Sequence, residues 1–321
     1  MNSKHCPHCH CNTMVVKKGK TSSGRQRYKC KNCNHSWTSK PHPQVLAKGL
    51  WNDLVWHNQN IDELSNKYGL CHRTIRKKLD LYNFSGIILS EEDKSTTVIA
   101  MDVTFFKRTG GVLTVINVHN GKALYCEETG SYETVWDYEK AILALHEYGI
   151  HPKAAVVDGK KGVFEMLEGY GILVQMCQFH QKKIVRRYIR KNPIIEENRS
   201  IKDLSDALTR THREMYETMV YVWRAVNYSW LNERTYYKDR DDGKKWEYTH
   251  KESRSAVNSL FNNLPYLFTF EDHPELNIPN TNNMIEGIHS ELKRRLANHR
   301  GLRKAQKIKF IRIFLSGRTG V

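Results

Sequence analysis

Three carboxylates stand out by where the chain puts them. Asp102 lies inside the apolar run Thr97-Val98-Ile99-Ala100-Met101-Asp102-Val103-Thr104-Phe105-Phe106, Asp158 closes the run Ala154-Ala155-Val156-Val157-Asp158-Gly159, and Glu286 belongs to the later segment Asn282-Asn283-Met284-Ile285-Glu286. An ionised Asp among so many β-branched and aromatic residues is costly unless a cation or a metal compensates it. For a single run, an Asp at a strand edge is the plainer reading, and Glu286 alone would be an exposed Glu on a charged helix. Three carboxylates on separate elements call for a common role. Hard carboxylate oxygens select Mg²⁺ or Mn²⁺, and three such groups can hold two ions about 4 Å apart that serve phosphodiester displacement. Asp102 would then bridge both ions, with Asp158 and Glu286 each completing one shell. Covalent or nucleotide-driven chemistry is disfavoured by the lack of a Ser/His/Asp order and of a Gly-rich phosphate loop.

A second set of ligand types opens the chain. Cys6-Pro7-His8-Cys9 and Cys30-Lys31-Asn32-Cys33 are two C-x-x-C pairs separated by residues 10–29, a spacing that fits a zinc ribbon with Cys6, Cys9, Cys30 and Cys33 as ligands. Cys11 and His35 are alternative ligands off the paired spacing, and a redox dithiol is the competing reading, for which one pair would suffice. Five of the eight cysteines lie in the first 33 residues, so metal ligation fits better than disulfides. The stretch between the pairs, with Arg25, Arg27 and Lys29 on its second arm, reads as a basic hairpin facing nucleic acid.

The elements that must position these groups follow in order. After Pro41 and Pro43 a helical pattern over residues 46–56 precedes two further helices that meet at Gly69. Leu64, Leu70, Ile75 and Leu79 give their apolar face, and Arg73, Arg76, Lys77 and Lys78 cover the exposed side of the last, as a helix-turn-helix recognition helix requires, although other small helical hairpins share this spacing. From residue 96 the pattern becomes strands 97–106, 111–118 and 123–126, a helix 134–148, a strand ending at Asp158, a helix 162–169, a strand 172–175 and a third helix. This βββαβαβα order is the ribonuclease H-like α/β order, in which the first and fourth strands lie side by side and Asp102 can meet Asp158. Residues 193–275 read as an all-α insertion rich in Tyr and Trp, most of them serving helical packing. The expected divisions are thus residues 1–40 for the ribbon, 41–95 for the helix-turn-helix, 96–192 and 276–321 for the core, and 193–275 for the insertion.

Charge is segregated. Residues 1–80 carry 15 Lys/Arg against 4 Asp/Glu and residues 287–321 carry 10 against 1, so a chain of net charge +17 has a slightly acidic middle. Basic ends around an acidic centre fit a protein that holds a polyanion such as double-stranded DNA from both sides. No run reaches a membrane span and the start has no signal-peptide h-region, so a cytoplasmic protein without membrane contact is expected.

Taken together, Asp102, Asp158-Gly159, Cys177-Gln178-Phe179-His180 and Asn282-Asn283-x-x-Glu286-x-x-x-Ser290-x-x-Lys293-x-Arg295, closing with His299-Arg300-Gly301-Leu302, resemble the Mutator-like bacterial insertion-sequence transposases. The resemblance covers nearly everything from Val98 to the end, and the segments before it look like the DNA-binding region of a subgroup with a zinc ribbon. It implies a DDE transposase in the bacterial cytoplasm, nucleoid-associated, with two Mg²⁺ or Mn²⁺ ions on Asp102, Asp158 and Glu286 and one structural Zn²⁺. Such an enzyme hydrolyses the transposon end and joins the freed 3′-hydroxyl to target DNA, acting as a homodimer or higher oligomer. Cys177 and His180 match the family's C/D-x-x-H motif beside the active site, a buried Cys and a helix-start His being the plainer alternative, and Lys293, Arg295 and Arg300 become DNA contacts. The tail closes soon after Arg318, so fewer peripheral DNA contacts are expected. A domesticated or inactive DNA-binding regulator and a ribonuclease H-like nuclease or resolvase are the competing functions.

Overall fold

The computed structural model describes residues 5–22, 26–38, 43–84, 86–107, 110–190, 192–238 and 243–318. Arg25 therefore lies outside the described residues. The chain divides into two units, Met1–Asn83 and Phe84–Val321. Among the described residues, no helix is long and apolar enough to cross a membrane.

The first unit opens with a three-stranded antiparallel sheet, β1 (Val15–Lys20), β2 (Gln26–Cys30) and β3 (Ser36–Thr38), in the order β1-β2-β3. Three helices follow, α1 (Pro43–Val55), α2 (Ile61–Tyr68) and α3 (His72–Asp80). Asn60 and Glu63 cap each other's backbone N–H at the start of α2, and Gly69 ends it at φ 60°, a left-handed turn that glycine adopts without a Cβ penalty. Leu50, Trp51, Leu54, Leu64, Ile75 and Leu79 are buried, and the Trp51 indole donates to the Leu79 carbonyl at 3.0 Å. That bond ties α1 to the end of α3.

The second unit is a mixed α/β structure around a five-stranded sheet. Its strands are β4 (Val98–Phe106), β5 (Gly110–Asn117), β6 (Ala123–Gly130), β7 (Ala154–Val157) and β8 (Leu173–Met176), in the order β6-β5-β4-β7-β8. The first three run antiparallel, and β7 and β8 add in parallel to β4. α4 (Val135–Tyr148) follows β6, α5 (Val163–Gly169) joins β7 to β8, and α6 (Gln178–Tyr188) leaves β8. Side chains alternate along a strand. Ile99 and Met101 of β4 enter a core with Tyr138, Ile142 and Leu145 of α4, so Asp102 belongs to the opposite face.

The insertion is not all-α. Beside α7 (Glu196–Ala207), α8 (Arg213–Val226) and the short α9 (Tyr228–Leu231), it carries an antiparallel pair, β9 (Arg234–Tyr236) and β10 (Trp246–Tyr248), before α10 (Lys251–Leu267) and the short α11 (Thr269–Asp272). Trp246 faces Tyr236 across the pair, and the Arg234 guanidinium lies 4.0 Å from the Trp246 ring. Cross-strand aromatic pairing and this cation–π contact favour strands here over a helix. The insertion is clamped to the core by three buried glutamines. Gln175 and Gln178 both donate to the Leu267 carbonyl, at 3.1 and 3.0 Å, and Gln181 donates to Ser259 Oγ. The chain closes with α12 (Asn283–Ala297) and α13 (Lys304–Ser316).

Gly159 is constrained by this geometry. Its φ is +98°, and a Cβ there would lie 2.6 Å from the Cε of buried Met176. Gly159→Ala is expected to cost about 1–3 kcal/mol of stability from backbone strain, measured as a lowered denaturant midpoint. An unchanged midpoint would contradict it.

Candidate functional site

Strand register brings the first two carboxylates together. In the parallel pair Val98 lies opposite Ala154 and Ala100 opposite Val156, and Asp102 and Asp158 each follow two residues past that last pair. Burial pushes the Asp158 carboxyl above the usual carboxylate range, and the negative charge of Asp102 adds to the effect. The Lys160 backbone N–H donates to Asp158 Oδ1 at 3.2 Å and partly offsets it.

Glu286 arrives from α12 through a splice between two helix starts. The Asn282 N–H donates to Cys177 Sγ at 3.3 Å, the Gln178 N–H donates to the Asn280 carbonyl at 3.0 Å, and Asn280 Nδ2 returns to Gln178 Oε1 at 3.1 Å. Buried Cys177 thus anchors the loop that launches α12. His180 lies three residues beyond Cys177 and Glu286 four beyond Asn282, about one turn into each helix. They meet: His180 Nε2 is 3.3 Å and Lys183 Nζ 3.0 Å from Glu286 Oε1. Burial opposes the His180 imidazolium, but the neighbouring Cys177 thiol and Asp158 favour it, and its pKa is raised overall.

Asp102, Asp158, Glu286, Cys177 and His180 therefore belong to one neighbourhood, in which His180 contacts Glu286 and lies within electrostatic reach of Asp158. They do not form a closed single-ion cage. Among the described residues, the one group of three or more Cys, His, Asp or Glu ligand atoms all within 4.8 Å of one another is Cys6, Cys9, Cys30 and Cys33.

Three further side chains enter the site without having been expected from the sequence. His289, buried on α12, places Nδ1 3.0 Å from Asp102 Oδ2 and Nε2 3.1 Å from Thr114 Oγ1. Its signal was a His three residues after Glu286 within the buried stripe Ile285, Ile288 and Leu292. Glu133, just before the Thr134 cap of α4, has its pKa raised by burial and by Asp158 and Asp102, while Lys160 Nζ lies 3.7 Å away. Lys183, one turn after Phe179 on α6, completes the set.

The four cysteines can hold a metal. Cys6 Sγ lies 3.5 Å from Cys33 Sγ and Cys9 Sγ 3.6 Å from Cys30 Sγ, close to the roughly 3.8 Å edge of a tetrahedron of thiolates about 2.3 Å from zinc. The two knuckles repeat one turn, since the residue after each second cysteine, His10 and Asn34, has φ 58°. The Cys11 backbone lowers the Cys9 thiol to about 6, whereas at Cys33 burial and the other three sulfurs outweigh the His35 backbone and push it to about 12. Such crowding of thiols is what a bound cation relieves. Cys11 and His35 stand outside the group; the Cys11 thiol contacts Thr13 and the His35 ring stacks between His8 and Trp37.

Of the expected DNA contacts, Arg27, Arg73, Lys77, Lys293 and Arg300 are exposed, and Lys29, Arg76 and Lys78 are half-buried. Arg295 is half-buried and already engaged, donating to Glu291 Oε1 at 2.9 Å with its guanidinium over the Phe314 ring. It pins α12 to α13. No protein-family model matches the chain, and no curated protein matches it.

Proposed function

We propose that this chain is a DDE transposase of the Mutator-like insertion-sequence kind, which binds the terminal inverted repeats, cleaves the DNA ends and joins the 3′-hydroxyl to target DNA. The observation that carries the reading is the assembly of Asp102, Asp158 and Glu286 from three distant segments into one neighbourhood. The strand order β6-β5-β4-β7-β8 supports reading the second unit as a ribonuclease H-like core. The cysteine group with its basic sheet, and α2 with α3, are on this reading a zinc ribbon and a helix-turn-helix that choose the DNA.

The donor set fits hard divalent ions. Burial raises the Asp158 carboxyl and the charge of Asp102 adds to it, a cost that a cation bound by both carboxylates would relieve. Two ions spaced about 4 Å apart need no single three-carboxylate cage, because the outer ligands serve different ions. Asp102 would serve both, Asp158 and Glu286 one each. Mg²⁺ or Mn²⁺, when bound, would activate the attacking oxygen and stabilise the leaving one. Glu286 Oε1 is held by His180 and Lys183, which would leave Oε2 to meet its ion. Two ends joined at one target call for a homodimer or larger assembly acting in the nucleoid.

The test incubates the purified chain with DNA carrying its element's ends, with Mg²⁺ or with EDTA. Mg²⁺-dependent nicking at the ends followed by strand joining is expected. Hydrolysis without joining, or without regard to end sequence, would replace the reading with a nuclease or resolvase. End binding with no cleavage in Mg²⁺ or Mn²⁺ would leave a DNA-binding regulator.

A further inference from the structure

We infer that His289 is a positioning residue that fixes the Asp102 carboxylate for metal binding, and that it does so by locking α12 onto the β4–β5 pair. The inference rests on the proposed metal site and goes beyond its three carboxylates. Asp102 and Thr114 are direct partners across β4 and β5. Their side chains therefore share a face, and one imidazole reaches both: Nδ1 at 3.0 Å from Asp102 Oδ2 and Nε2 at 3.1 Å from Thr114 Oγ1.

The roles follow from donor inventory. An ionised carboxylate only accepts, so Nδ1 carries a proton, and in the neutral ring Nε2 accepts from the Thr114 hydroxyl. With Oδ2 committed to the imidazole, Oδ1 is the oxygen left to be shared by the two ions. His289 also lies one helical turn after Glu286. The contact that orients Asp102 thereby sets where α12 docks, and with it how far Glu286 stands from the sheet. Side chains that orient metal-ligating carboxylates are worth about 10- to 100-fold in metal affinity.

The experiment measures Mn²⁺ binding to the full chain by the electron paramagnetic resonance of the free ion, with thermal unfolding recorded in parallel. His289→Leu is expected to weaken Mn²⁺ binding about 10- to 100-fold. His289→Asn, whose amide N–H takes the place of Nδ1–H, is expected to rescue most of that loss. Thr114→Val, which removes only the far anchor, should weaken binding by a smaller factor, and it decides the matter if His289→Leu does not fold. Wild-type affinity in His289→Leu, or in Thr114→Val where that variant decides, overturns the inference, as does an Asn variant as weak as Leu. Asp102→Asn separates this from the underlying reading. If wild-type protein binds no Mn²⁺, or Asp102→Asn binds it equally well, the metal site itself falls and the positioning role with it; if only Asp102→Asn loses binding, the site stands and His289 is merely structural.

Discussion

Asp102→Asn is expected to lower Mg²⁺-dependent cleavage of transposon-end DNA about a thousandfold or more while leaving the protein folded. On the proposed function Asp102 is the one carboxylate that both ions would share, so its loss would remove charge stabilisation at the attacking and leaving oxygens together. A deficit of several kcal/mol in transition-state stabilisation corresponds to that factor, at about 1.4 kcal/mol per tenfold. The fold should survive because the Asn carbonyl can still accept from His289 Nδ1, which donates to Asp102 Oδ2 at 3.0 Å.

The same substitution should act on stability with the opposite sign. Burial and the charge of Asp102 raise Asp158, so in the absence of metal the folded state holds two carboxylates that repel. For an acid whose folded pKa is raised, this cost is absent below the unfolded pKa, where the group is neutral in both states, grows as pH rises toward the folded pKa, and is fully present above it. Neutralising position 102 removes part of it. Without divalent ions, Asp102→Asn should therefore melt no lower than wild type at neutral pH, and added Mg²⁺ should stabilise wild type more than the variant. Cleavage within tenfold of wild type, or equal stabilisation of both by Mg²⁺, would remove Asp102 from the site.

What could be read in the residues follows from how strongly each position was constrained locally. Two C-x-x-C pairs announce their purpose because a short segment has few other uses for four thiols, and the structure gathers those four sulfurs. Asp102 and Asp158 were visible as charges inside apolar runs, and the β4–β7 pairing then set each two residues past its last bonded pair. His289 was hidden because a histidine on a helix rich in Lys and Arg looks ordinary until the sheet beneath it is known. Glu133 was hidden for the same reason, being one acid in the run Glu127-Glu128-Thr129-Gly130-Ser131-Tyr132-Glu133. That run also concealed the end of β6, expected near Cys126 but reaching Gly130. β6 is an edge strand, and an edge strand tolerates polar residues that a central one does not. In the insertion, the charged stretch 238–245 hid the pairing of β9 with β10, whose aromatic partners lie on either side of it.

Removal of the metal from the cysteine group should be the other large effect. Within the described residues of the β1–β3 segment, Cys6, Tyr28 and Cys30 are the buried apolar side chains, and β1 is exposed along most of its length. So small an apolar set cannot offset the conformational entropy of ordering the segment, and structural zinc in comparable peptides contributes about 10–16 kcal/mol. Wild-type protein purified without chelator is expected to carry one Zn²⁺ per chain. Cys30→Ser, or strong chelation, should release it and open the segment to trypsin at Lys17, Lys18, Lys20, Arg27 and Lys29, while the unit Phe84–Val321 keeps its own unfolding transition. On the proposed function DNA affinity falls as well, and the salt dependence of binding shallows by about 0.9 for each phosphate that the opened segment no longer neutralises. Zinc far below one per chain in the wild type, or trypsin resistance unchanged in Cys30→Ser, would show that the segment folds without a metal staple.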